Sequence, residues 1–350
     1  MSLPGSPDYL LEWAHLAVGT TRGVEQWLDL FSEVLSDWQL DRAWRLLREA
    51  KMMTRTNHGR ALVRHGEGLL YAQLGHWTRA ISCLQAAASL FNSDSHPEEA
   101  ALVLNDLGML LRLRGEFDEA ITCHQRALAQ AEKIDHRHLA AEALDSLGLD
   151  YWQRGSPSHA AENFHRALAL RKELGDESGA AHTQNHLGLA LWRLGKLEPA
   201  LEAFQQALDV FEAQGERYAA AQARANIGNI HYEQGELAVA EACWQEALEA
   251  FNDLGAVYDK VGLLNNLGGL AFERKGYSTA KSYYEQSLAL ARDLGDQQGE
   301  RDALINLGVV GTMQKQWDQA HDCYSQALVL SQAVGDWRTA RAIRKKLARW

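Results

Sequence analysis

His182 and His186 stand four residues apart, a spacing at which one helix face presents two imidazoles that can hold a metal ion. They are the sharpest chemical signal among fourteen scattered histidines. No nearby cysteine or acidic pair completes a four-ligand set, so a polar or packing role is the plainer expectation and no metal is expected. His136 and His138 flank Arg137 in a loop and carry a weaker signal still. Cys83, Cys123, Cys243 and Cys323 are separated by multiples of 40 residues. Stacked helices lie about 10 Å apart, beyond the ~7 Å between Cα atoms that a disulfide tolerates. The cysteines therefore read as small apolar residues at a helix-packing position. The chain has no Walker loop, HExxH, GxSxG or strand-following GxGxxG, and Gly66-Glu67-Gly68 lies in a helical pattern. It is expected to be no enzyme and to bind no cofactor.

The elements that would position any site repeat. Gly68, Gly108, Gly148, Gly188, Gly228, Gly268 and Gly308 fall 40 residues apart, and an alanine follows each by twelve, from Ala80 to Ala320. A fixed period of this length marks a repeat architecture. In the unit from Ala100 to Leu139, Leu104, Leu107, Gly108 and Leu111 keep the spacing of one apolar helical stripe. Arg114-Gly115-Glu116 breaks it, and a second stripe runs through Phe117, Ala120, Ile121, His124, Ala127 and Leu128. Glycines such as Gly175, Gly215, Gly255, Gly295 and Gly335 close the second helix, usually with an acidic residue next. Pro157 suits the first turn of its helix. A mid-helix glycine costs about 1 kcal/mol relative to alanine, so the recurrent one implies a close approach of the second helix.

The expected domains are a helical cap with a degenerate repeat over 1–60, seven tandem repeats over 61–340, and the end of a basic capping helix over 341–350 that starts near 338. Within the cap, Tyr9 to Val18, Val24 to Ser36 and Leu40 to Met53 read as amphipathic helices. The first twenty residues make a poor signal peptide, and no apolar run approaches the ~18 residues of a membrane span. A cytoplasmic protein with no membrane partner is expected. A net charge of −11 argues against general nucleic-acid binding. Arg338, Arg341, Arg344, Lys345, Lys346 and Arg349 crowd the C-terminus with no acid among them, as a solvated last helix or a docking surface for an acidic partner.

The Leu107-Gly108, Ala120, Ala127 pattern and its equivalents resemble the tetratricopeptide repeat, and Tyr151 matches that family's aromatic position. Asn266-Leu267-Gly268 and Asn306-Leu307-Gly308 are similar to the 40-residue subclass that includes Pins-type adaptors, kinesin light chains and bacterial regulators. Departures are Glu67 in place of a leucine, and Lys275 and Lys315 in place of the turn glycine. The resemblance implies an all-α, right-handed α-solenoid of antiparallel helix pairs, with the first helix of each pair lining a concave groove. It places Asn105, Asp145, Asn185 and Asn265 in one inner column, and Arg112, Trp152, Trp192, Tyr232 and Phe272 in another, with Arg193 and Asn229 in the same channel. A carboxamide both donates and accepts and so grips an extended backbone, while aromatics supply apolar area. Asn226, Asn266 and Asn306, one place further on, read as bonds between neighbouring helices. The groove lacks the full Lys, Arg and Asn set of chaperone-type carboxylate clamps.

The reading that follows is a non-catalytic scaffold or adaptor that binds an extended or helical peptide segment of a partner, of unspecified oligomeric state. One rival is a peptide-responsive regulator resembling Rap-type sensors, which changes conformation on binding. Another is a regulatory partner of a separate effector enzyme.

Overall fold

Two apolar stripes separated by a turn that needs a left-handed residue become two helices folded back on each other. The computed structural model describes residues 40–91 and 96–348. Helices α1 (Leu40–Met53), α2 (Asn57–Gln73), α3 (Trp77–Leu90), α4 (Pro97–Leu113), α5 (Phe117–Lys133), α6 (Arg137–Gln153), α7 (Pro157–Leu174) and α8 (Glu177–Arg193) form one compact unit, which runs to Leu194. Helices α9 (Leu197–Gln214), α10 (Arg217–Glu233), α11 (Leu237–Asp253), α12 (Val257–Glu273), α13 (Tyr277–Leu294), α14 (Gln297–Met313), α15 (Trp317–Ala333) and α16 (Trp337–Leu347) form the second, from Gly195. No strand occurs among the described residues. Within each unit consecutive helices pack on one another, and α4 also touches α6, α6 touches α8, and α12 touches α14. The architecture is all-α, built from antiparallel helix pairs. The segments Tyr9 to Val18 and Val24 to Ser36 lie outside the described residues, whereas α1 spans the predicted Leu40–Met53.

The turns follow from backbone sterics. Gly115, Gly155 and Gly235 take φ of 80°, 84° and 81° between the two helices of their pairs. Lys275 and Lys315 hold the same turn at 63° and 59°, so the left-handed conformation persists where its preferred residue is missing. At the other end of the hairpins, Gly175 and Gly295 cap their helices in the left-handed region. The next residue then starts the following helix: the Asp176 carboxylate accepts from Gly179 N–H at 2.9 Å, and Asp296 from Gly299 N–H at 3.0 Å.

The recurrent mid-helix glycine admits a side chain. A Cβ on Gly68 would sit 2.7 Å from Leu84, on Gly108 2.5 Å from His124, on Gly228 2.7 Å from Trp244, and on Gly308 2.8 Å from Tyr324. Gly148 faces Phe164 and Gly268 faces Tyr284 in the same way. Each glycine is thus a hole for the residue sixteen places later, on the second helix of its pair. The alanines from Ala80 to Ala320 are fully buried at the same seam. This sharpens the expectation of a bare backbone approach: the gap is filled, and mostly by an aromatic ring.

Glu67 sits buried where an apolar residue is usual, and two cations meet it. Lys51 Nζ of α1 lies 3.1 Å from one carboxylate oxygen and Arg64 Nη1 2.7 Å from the other. The pairing offsets desolvation of the carboxylate and ties α1 to α2.

Gly228→Ala is expected to destabilise the protein by about 1–3 kcal/mol through overpacking against Trp244. Gly262→Ala, in α12 with nothing within 4 Å of the added methyl, is expected to stabilise by roughly 0.5–1 kcal/mol. Urea denaturation of both variants checks the pair, and equal effects would remove the hole-filling explanation.

Candidate functional site

The first helices of neighbouring hairpins run side by side, and residues 41 apart meet. The separation recurs at several heights: Tyr218 Oη donates to Asp259 at 2.9 Å, Tyr232 Oη donates to Glu273, and Asn306 Nδ2 donates to Asn265 Oδ1 at 3.5 Å. A constant offset at different levels means that these helices are parallel and in register, one residue beyond the repeat length. The contacts form a polar seam along each unit, and side chains in it have bonding capacity committed to the fold.

In the first unit the seam pairs histidines with aspartates. His65 Nε2 lies 2.5 Å from Asp106 Oδ2, and His186 Nδ1 lies 3.2 Å from Asp145 Oδ2. Burial alone would raise the Asp145 carboxyl, but the His186 hydrogen bond and charge, with Arg171 and Thr183, outweigh it and hold the group below its ordinary value. His186, one half of the candidate metal pair, is therefore engaged with Asp145. No group of three or more His, Cys, Asp or Glu side chains converges as a metal site among the described residues.

A second buried network crosses the α4, α5 and α6 helices. His124 Nδ1 is 2.5 Å from Asp150 Oδ2, its Nε2 is 3.2 Å from the Asn105 carbonyl, and both side chains are fully buried. Arg112 Nη1 donates to Asp150 Oδ1 and to the Ser146 carbonyl, each at 3.2 Å. Arg112 and Asp145, both expected to face a ligand, thus have structural partners. Asp150 escaped the sequence reading because it occupies a position that is apolar elsewhere. The available signal was the pairing of two anomalies, a histidine at 124 where other repeats carry large apolar or aromatic residues and a carboxylate at 150.

Other predicted positions in this unit are only partly enclosed. Trp152 and Trp192 are half-buried on α6 and α8, as are Asn105 on α4 and Asn185 on α8. The Trp152 ring lies under the exposed Arg193 guanidinium, 5.7 Å from the ring centre. Trp152 Nε1 and Asn105 Oδ1 are buried atoms without a hydrogen-bond partner. One hairpin before Trp152, Met109 and Leu113 are exposed on α4, Leu113 to 66%.

In the second unit the seam is built from amides and phenols. Asn229 Oδ1 accepts from the buried Trp244 Nε1 at 3.1 Å and from Asn266 Nδ2 at 3.0 Å. Asn229 therefore anchors the ring that fills the Gly228 hole, and Asn266 and Asn306 bond across helices as expected. Tyr232, half-buried and tilted on Trp244 at 5.5 Å, has its phenol pushed up to about 12, by the Glu273 hydrogen bond first and then by burial. Phe272 packs on Tyr277 at 5.4 Å, at the start of its own second helix. These rings combine packing with a partly open face.

The cysteines are free thiols, Cys83 and Cys123 buried, Cys243 and Cys323 half-buried. Burial is the leading cause that pushes all four thiols up, which lowers the thiolate fraction at neutral pH.

Because Asp145 is held low in the fold, its contribution is full above the ordinary carboxylate range near 3.8 and is lost as pH falls through the folded value. The stability gap between wild type and Asp145→Asn is expected to be constant at neutral pH and to close in acid. Thermal melts over a pH series check this, and a gap that widens toward low pH would contradict it.

The tetratricopeptide repeat model matches residues 98–173, 160–213, 179–253 and 259–333. No curated protein matches the chain by sequence. Among solved structures, the apo quorum sensor NprR from B. thuringiensis superposes with a TM-score of 0.68 at 13% identity, covering 92% of this chain and 97% of that one. A Rap protein complexed with Competence and Sporulation Factor gives 0.65 at 15%, covering 94% and 98%, and apo RapI gives 0.63 at 14%, covering 78% and 99%. At such identities the likeness is one of fold alone. The recurrent hole, its filling side chain and the family match over most of the described residues lead to one conclusion: the chain belongs to the tetratricopeptide repeat family.

Proposed function

We propose that this chain is a non-catalytic interaction module that holds an extended or helical segment of a partner protein against its inner helix faces. The observation that carries the reading is the Trp152–Arg193 pair. A half-buried indole lies under an exposed guanidinium, and its Nε1 is unspent. An indole face with a cation above it offers apolar area together with a partner for a carboxylate or carbonyl. Exposed Met109 and Leu113 extend the apolar surface on α4, and Asn105 and Asn185 supply carboxamides at its edge. In the second unit, Tyr232, Asn265 and Phe272 are the corresponding contacts. Arg112, Asp145 and Asn229 act one step back, as supports for the helices that present these groups.

A second reading, a regulator that changes shape when a peptide binds, draws on the likeness in fold to NprR and the Rap proteins. A fall in the radius of gyration on ligand addition, measured by small-angle scattering, would favour it over a rigid adaptor.

The test is affinity capture from the source lysate with wild type beside Trp152→Ala/Arg193→Ala. The bound partner is expected to be lost from the double variant, with affinity reduced at least tenfold, or about 1.4 kcal/mol, and an unchanged melting curve. A partner retained by the variant would move the site elsewhere on the fold.

A further inference from the structure

The last described helix differs in charge from the rest of the chain. In α16, Ala340 and Ile343 are buried, while Arg338, Arg341, Arg344 and Lys345 are exposed. None of these four side chains makes a hydrogen bond or ion pair among the described residues. Two carboxylates on α14 and at the start of α16 are already committed: Asp336 caps α16 by accepting from Thr339 N–H at 3.0 Å and pairs with Arg301 at 3.2 Å, and Asp302 lies 2.9 Å from Arg301. Lys346 turns inward, its ammonium 3.3 Å from Tyr324 Oη and 5.0 Å above that ring. The four remaining cations therefore form an uncompensated stripe on a chain with 46 acidic and 35 basic residues. Beside the stripe, a cleft of about 470 Å³ is lined by Ile305, Ala342 and Ile343 at its apolar part and by Asp336, Arg338, Thr339 and Lys346 at its rim, the Asp336 carboxylate being paired with Arg301. Trp337, 65% exposed, stands at the start of the helix.

We infer that α16 docks an acidic, amphipathic segment of a partner protein. Its carboxylates pair with Arg338, Arg341, Arg344 and Lys345, and one of its apolar side chains enters the cleft between α14 and α16. Cations at 338, 341 and 345 follow helical i, i+3, i+7 spacing, which matches carboxylates repeated at the same intervals on a facing helix. Guanidinium–carboxylate pairs supply charge-assisted hydrogen bonds, and the apolar cleft fixes the register. Length argues against nucleic acid. Eleven residues of helix span roughly 16 Å at 1.5 Å per residue, whereas a duplex carries a charge about every 1.7 Å and continues beyond the stripe. Its next phosphates would meet a predominantly acidic protein. A short acidic segment need be no longer than the stripe itself.

The experiment measures fluorescence anisotropy of a labelled amphipathic peptide of Glu and Leu, with Glu at i, i+3, i+4 and i+7. The full chain is compared with Arg341→Glu/Arg344→Glu/Lys345→Glu and with the corresponding Gln variant. Wild type is expected to bind, more weakly as salt rises, with at least a tenfold loss in both variants. The Gln variant keeps the test valid if charge reversal unfolds the helix. Trp152→Ala/Arg193→Ala is expected to bind the peptide as wild type does, which separates this surface from the inner-face site. Absence of binding, equal binding by wild type and the Gln variant, or preference for oligo-dT or for phosphatidylserine vesicles over the peptide would overturn the inference.

Discussion

The structure depends on a hole in one helix being filled by a side chain from the next. A glycine at a fixed place in each first helix leaves a pit that Leu84, His124, Phe164, Trp244, Tyr284 or Tyr324 occupies. The glycine's cost in helix propensity is about 1 kcal/mol, and burying an aromatic side chain offsets it with roughly 1.5–3 kcal/mol. Since a repeat stack has only nearest-neighbour contacts, this local fit sets the geometry of each hairpin and thereby the inner face it presents. The variety of occupants is informative. The hole fixes only that something large enters from the second helix, so the repeats of this chain place leucine, histidine, phenylalanine, tryptophan and tyrosine there, and each choice demands different partners.

Those partners explain the division of labour along the inner helices. Where the occupant is His124, a carboxylate, Asp150, replaces the usual apolar residue to pair with it, and Arg112 pairs with Asp150 in turn. Where it is Trp244, Asn229 turns to accept its N–H. Buried polar groups must be paired, so a polar occupant requires polar partners at the positions that surround it. The seam between residues 41 apart consumes more of them. Under the proposed function, the groups left for a ligand are chiefly the partly exposed rings and Arg193.

Much of the fold was legible because its signals are periodic and local. The spacing of Gly and Ala, the Arg114-Gly115 type of turn and the Gly175-Asp176 type of cap each have one structural meaning within a few residues of chain. The candidate site was less legible. Asp145 and Asn185 occupy the same repeat position, yet Asp145 is bound to His186, a residue in the next hairpin. A column of equivalent positions says which face a residue is on. It does not say whether its hydrogen bonds are already made.

The sequence by itself determined the helices and their pairing, because helical periodicity and turn sterics act over a few neighbouring residues. It also determined the cationic C-terminal stripe, since charge is read directly from composition. Only the tertiary structure decided that the recurrent glycine receives a side chain sixteen residues on, that Asn229 and Arg112 support the fold, and that Trp152 lies under Arg193. Each of those outcomes depends on contacts across a hairpin or between hairpins. A register shift of one residue would exchange every partner, and the offset that selects them becomes visible only when the helices are packed.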